Sequence, residues 1–139
     1  MEVRALVTTS PAISPNRFEA PPNVAVRSFV PHGDVMPESA LIITHAGHGT
    51  VIRAMAAGVP LVCIPLGRDQ YDVAVRVVWH GAGVKLRAKV KPTALKRGIT
   101  ETLENVSFRD AAHRLAEAIS KETKRDIAIQ ELEELGAAH

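Results

Sequence analysis

Short apolar runs that alternate with stretches of helical spacing constrain this chain more than any other feature. Val3 to Thr8, Val24 to Val30, Ala40 to Thr44, Leu61 to Ile64 and the weaker Gly83 to Leu86 read as strands. Thr50 to Ala57 reads as a helix closed by Gly58 ahead of Pro60, and Tyr71 to His80 as a second, with apolar residues at 73, 74, 77 and 78 and Gly81 at its end. Three further helical stretches follow: Pro92 to Leu103, Phe108 to Ser120, and about Lys121 to Leu135. Pro92 suits a first helical turn, where its missing N–H costs nothing. Runs that look buried on both faces, each followed by a helix, predict an α/β fold with a parallel, doubly wound sheet of about five strands. Ligands of such sheets bind beyond the carboxyl ends of the strands, which selects residues 8–22, 30–39, 45–50, 65–70 and 87–91 for close reading.

Length and composition narrow the function. The 139 residues make one ordinary domain. With 46% apolar and 23% charged residues, a packed core is expected rather than disorder. No apolar run approaches the roughly 18 residues that span a bilayer. The first ten residues carry Glu2 and Arg4 and lack a signal-peptide pattern, so a cytoplasmic protein is expected. A single cysteine, Cys63, excludes an internal disulfide framework and any cysteine-based zinc cluster; it reads as a small core residue. Aromatics at 4% argue against a stacking platform for nucleic acid. Charge is uneven: residues 76–97 hold seven Lys and Arg and no acid, although the whole chain is only +2. That segment reads either as a solvated strand edge and helix start protected by lysines or as a surface for an anionic partner or a membrane.

Thr44-His45-Ala46-Gly47-His48-Gly49-Thr50 follows an apolar strand and opens a helix. Glycines let backbone N–H groups approach a ligand, and a helix start adds free donors and partial positive charge. A hydroxyl from Thr50 and an imidazole N–H from His45 complete what a diphosphate needs. The same residues also fit a tight strand-to-helix turn, with glycine supplying positive φ and Thr50 the N-cap. Gly47 and Gly49 supply two glycines of a dinucleotide fingerprint, but Ile52 holds the third position and Asp69 lies several residues beyond a strand tip, so a dinucleotide fold is a poor match. Pro65-Leu66-Gly67-Arg68-Asp69-Gln70 also lies between a strand and a helix. Its Asp69 and Gln70 suit a polyhydroxyl ligand, or else an N-cap followed by a solvated glutamine.

Several segments taken in order carry a resemblance. Phe29-Val30-Pro31-His32, His45 to Thr50, Gly58-Val59-Pro60, Pro65 to Gln70 and Gly81-Ala82-Gly83-Val84 resemble the donor-binding signature of the family-one nucleotide-sugar glycosyltransferases, in the bacterial antibiotic and macrolide style. Val3 to Thr9, Ala20 to Val24 and Glu131 to Leu135 are similar to the same enzymes. The resemblance implies the Rossmann-like C-terminal half of a GT-B fold, with the acceptor-binding N-terminal half and its catalytic histidine absent. It implies that His45, Gly47, His48, Gly49 and Thr50 hold the diphosphate of a UDP- or TDP-sugar. It implies that Phe29, Val30 and His32 meet the base and that Asp69 and Gln70 hold sugar hydroxyls, with no metal and no other cofactor. Partners implied are the nucleotide-sugar and either an N-terminal half or further copies of the chain, with no nucleic acid.

Three positions depart from the family pattern. Phe29 stands where a tryptophan is usual and His32 where a glutamine is usual. Arg53 replaces the glutamate that bonds the ribose hydroxyls in the plant UDP-sugar enzymes, and an arginine cannot accept those bonds. A deoxyribose donor such as a TDP-sugar is compatible with that change. None of the six histidines is placed as a catalytic base for deprotonating an acceptor.

Overall fold

The computed structural model describes residues 3–123 and 133–136. It divides into two compact units, residues 1–35 and residues 36–139. In the first unit, β1 (Ala5–Thr8) pairs in parallel with β2 (Val24–Arg27), Ala5 opposite Val24. The Pro-rich connection contains a single 3₁₀ turn at Pro15–Arg17, and a short helix α1 (His32–Val35) ends the unit. All four residues of β1 are exposed, Leu6 and Val7 among them.

In the second unit, β3 (Ile42–Thr44), β4 (Leu61–Cys63) and β5 (Gly83–Lys85) form a parallel sheet in that order. Helices α2 (His48–Ala56) and α3 (Gln70–Trp79) provide the crossovers. Helices α4 (Pro92–Glu104) and α5 (Val106–Thr123) follow, with α5 against α2 and α4 against β4 and β5. The core gathers Val51, Ala54 and Met55 from α2, Leu61 and Cys63 from β4, Ala74 and Val77 from α3, and Ala112 from α5. β4 is buried at every residue because it lies between two strands and has helices packed on it.

The strand and helix types agree with the sequence reading. Of the expected sheet of about five strands, the first unit holds a parallel pair and the second a parallel triplet. The helix expected from Thr50 begins at His48, and the run from Phe108 to Ser120 lies inside the longer α5. Most of the expected final helix, residues 124–132, lies outside the described residues. Gly58 closes α2 as anticipated, in the left-handed region at φ +71°, with the His113 ring against it. A Cβ there would stand 2.9 Å from His113 Cδ2, so any other residue meets both backbone strain and a clash. The short α1 had no signal in the sequence: its four residues His-Gly-Asp-Val have no apolar period to read.

Candidate functional site

Parallel pairing brings three loops to one end of the second unit. Thr44 stands opposite Cys63 and Cys63 opposite Lys85, so the loops after β3, β4 and β5 leave the sheet side by side. Ile64 donates to the Thr44 carbonyl at 2.8 Å and Leu86 to the Cys63 carbonyl at 2.8 Å, carrying the ladder to the loop roots. His45 through Thr50 and Pro65 through Gln70 are therefore neighbours on adjacent strand ends.

The first loop is shaped by its own side chains. Thr44 Oγ1, buried at the end of β3, accepts the Ala46 N–H at 3.2 Å. That bond stabilises a turn in which Ala46, fully buried, adopts φ +66°. The left-handed residue is thus an alanine rather than either glycine. Gly47 is extended, at φ −61° and ψ 134°, and serves as the N-cap of α2 in place of Thr50. It is glycine for a different reason: a Cβ would lie 2.7 Å from His45 Nε2, so the imidazole folds over the position a side chain would fill. A Cβ on Gly49 would meet nothing within 4 Å, so the first turn of α2 opens to solvent.

Three backbone donors of that turn are unspent. Thr50 and Val51 donate back to the Gly47 carbonyl at 3.1 Å each, while the N–H groups of Gly47, His48 and Gly49 have no partner among the described residues. The cap carries no side-chain hydrogen bond and no acid occupies the first turn. The imidazole of His45 and the hydroxyl of Thr50 are likewise without a partner among the described residues. An anion is the complement of this arrangement. Thr44 is the residue the sequence reading missed; a threonine two residues before a buried turn residue is its only signal.

The second loop is fastened differently. Gln70 Oε1 accepts N–H groups from Leu66 at 2.8 Å and Gly67 at 3.2 Å. Its carbonyl is spent on holding the loop, which leaves only the amide N–H groups for a ligand. Asp69 occupies the N-cap position of α3 but makes no capping bond, and its exposed carboxylate is unpaired among the described residues. Arg68 is held at φ +57°, a conformation that non-glycine residues seldom adopt.

Phe29 and Val30 lie in the first unit, just past the carboxyl end of β2, with Phe29 68% exposed and His32 half-buried as the first residue of α1. Arg53 is exposed on α2, one turn after Thr50. Cys63 is fully buried, and burial pushes its thiol from an ordinary value near 9 up to about 11. It is a core residue rather than a nucleophile. Among the described residues, no three His, Cys, Asp or Glu cluster as metal ligands, and no helix is long and apolar enough to cross a membrane.

A parallel sheet with glycine-bearing loops at its carboxyl end defines a class, the Rossmann-like domains, and comparison with known proteins narrows it. Residues 4–135 match the family described as erythromycin biosynthesis protein CIII-like, C-terminal domain, and the chain belongs to that family. It is 38% identical over 96 residues to 4'-demethylrebeccamycin synthase of Lentzea aerocolonigenes, covering 68% of this chain and 23% of that protein. It is 31% identical over 102 residues to the uncharacterized UDP-glucosyltransferase YojK of Bacillus subtilis, covering 73% and 25%. Among solved structures, the spinosyn forosaminyltransferase SpnP superposes with a TM-score of 0.86 at 25% identity, covering 99% of this chain and 35% of that one. The glycosyltransferase VinC, in complex with DTDP, superposes at 0.77 with 27% identity, covering 84% and 30%. The relatives are glycosyltransferases of the GT-B fold, and enzymes of antibiotic and macrolide glycosylation are among them. The chain spans about a quarter of the curated relatives and about a third of the solved ones.

Proposed function

We propose that this chain binds the nucleotide-sugar donor of an inverting glycosyltransferase, with the diphosphate seated on the loop after β3. The observation that carries the reading is the set of free N–H groups of Gly47, His48 and Gly49, with the His45 ring folded beside them and no acid in the first turn. The Thr50 hydroxyl adds a donor. Charge develops on the diphosphate as the bond to the anomeric carbon breaks. Preorganised N–H donors stabilise that charge without reorganising, which is the electrostatic part of catalysis and one that needs no metal. Asp69 accepts hydrogen bonds from the sugar hydroxyls, and the Gln70 amide N–H groups donate to them. Phe29, Val30 and His32 belong to the first unit, and their assignment to the base rests on the family resemblance alone.

In the reaction we propose, an acceptor hydroxyl attacks the anomeric carbon from the face opposite the leaving diphosphate and inverts the configuration. The acceptor is a small molecule or a lipid. A positioned base must take its proton, and no residue of this chain is assigned that role. Oriented attack, worth roughly 7–11 kcal/mol in well-positioned systems, therefore rests on an acceptor-binding half. That half belongs either to the same polypeptide or to a separate subunit. The coverage of about a third of each solved relative supports this requirement.

Calorimetric titration with UDP, TDP and GDP tests the donor reading. Saturable binding of UDP or TDP that weakens in His45→Ala is the expected result; no binding of any nucleotide overturns it. Incubation with UDP- and TDP-sugars and a broad acceptor set, read by mass spectrometry, should give no glycoside from this chain alone. Glycoside after addition of an N-terminal half supports the transferase reading. Binding without turnover under both conditions would leave a nucleotide-binding module instead.

A further inference from the structure

The run of cations between residues 76 and 97 finds a place in the fold. Lys85 is the last residue of β5, and Arg87, Lys89 and Lys91 follow it in the six-residue loop leading to α4. All four are exposed, and none of their side chains has an ion pair or hydrogen bond among the described residues. A lysine-protected strand edge and helix start account for Lys85 and for Lys91, the N-cap of α4, but not for Arg87 and Lys89, which stand in the loop between them. They stand instead at the carboxyl end of the sheet, one strand over from the loop that carries Asp69 and Gln70 and two strands over from the diphosphate loop. Neighbouring strands are about 4.8 Å apart, so the β5 and β3 ends are separated by about one Debye length at physiological salt. Asp69 is the only acid on the three loops, against Arg68, Arg87, Lys89 and Lys91.

We propose that this basic turn after β5 is a recruiting surface for the anionic donor, raising its association rate with the loop after β3 without contacting it in the bound state. The inference rests on the donor reading above. A nucleoside diphosphate sugar carries two negative charges, and a one-signed rim beside a site raises on-rates by roughly ten- to a thousandfold, with steep salt dependence. Such charges act on association, whereas residues that touch the bound ligand act on dissociation.

Stopped-flow binding of a fluorescently labelled thymidine diphosphate, measured from low salt to about 0.5 M sodium chloride, separates the two. The triple variant Arg87→Gln/Lys89→Gln/Lys91→Gln should bind about tenfold more slowly than the parent at low salt and equally fast at high salt. Its dissociation rate should stay within about twofold, and uncharged labelled thymidine should show no difference between the two proteins. The charge-reversed pair Lys89→Glu/Lys91→Glu should slow association further, and circular dichroism checks that each variant is folded. A parent association rate that does not depend on salt, or a loss confined to dissociation, overturns recruitment while leaving donor binding intact. A parent that binds no thymidine diphosphate at any salt overturns the donor reading, and recruitment with it.

Discussion

The loops after β3 and β4 sit side by side yet solve the same problem in opposite ways. The first keeps its donors free and takes its shape from small residues: Thr44 Oγ1 braces Ala46, and Gly47 leaves room for the His45 ring. The second takes its shape from a long polar side chain, Gln70, whose carbonyl is spent on Leu66 and Gly67. A ligand on the first loop meets backbone and imidazole; on the second it meets a free carboxylate and what remains of an amide. Substitutions in the first loop should therefore change affinity. In the second, affinity and stability should separate between two adjacent residues.

Gly47→Ala tests the first loop most severely. The added methyl displaces the His45 ring and crowds the free N–H groups, so thymidine diphosphate affinity should fall by about 3 kcal/mol, roughly a hundredfold. In a His45→Ala background the same change should cost much less, because the clashing ring is gone; calorimetry of the four proteins in the cycle reads the coupling. Full additivity would mean that the ring and the glycine act independently.

His45→Ala alone should cost about 1–3 kcal/mol of diphosphate affinity, the range for a hydrogen bond to a charged group. Its melting temperature should not move, since the ring is exposed and has no partner among the described residues.

The second loop predicts a split between neighbours. Gln70→Ala removes the acceptor of two loop N–H groups and should lower stability by about 1 kcal/mol, with Gln70→Glu restoring most of it because a carboxylate still accepts both. Asp69→Ala should leave stability and free thymidine diphosphate binding unchanged and weaken only the nucleotide-sugar. Thermal melts and paired titrations distinguish these outcomes. Equal losses for both ligands in Asp69→Ala would remove the carboxylate from the sugar.

A smaller effect is expected from the ribose. With Arg53 in place of an accepting carboxylate, a 2′-hydroxyl gains little, so TDP should bind at least as well as UDP, and a UDP preference of about tenfold or more is not expected. Such a preference in competition titrations would show that another residue reads the ribose.

The smallest effect sits beneath both loops at Cys63. Its folded thiol titrates near 11, above an ordinary value near 9. A group whose pKa rises on folding stabilises the fold at pH values below the unfolded pKa, and that contribution is lost as pH climbs from about 9 through 11. Maleimide labelling at pH 8 should be negligible in the native protein and rapid in denaturant. Rapid native labelling would place the thiol outside the core.

Much of this was legible in the linear order of residues. Apolar runs broken by helical spacing specify strand and helix because period and turn chemistry are local properties. Gly58 and Gly81 mark helix ends because the left-handed residue that closes many helices is most easily a glycine. The loop of His45 to Thr50 stood out because two glycines between a strand and a helix fit either a close ligand approach or a tight turn.

Contacts between side chains, and between strands, were decided only by the tertiary structure. Five runs that read as one sheet pair as two and three, since which strands share a ladder depends on where distant segments pack. Local sequence cannot say that Ala46 rather than a glycine turns left-handed, because a bond from Thr44 and complete burial select that conformation. Nor can it say that the Gln70 carbonyl turns back to the loop, since a glutamine with three rotatable bonds takes its direction from the donors that the fold places within reach.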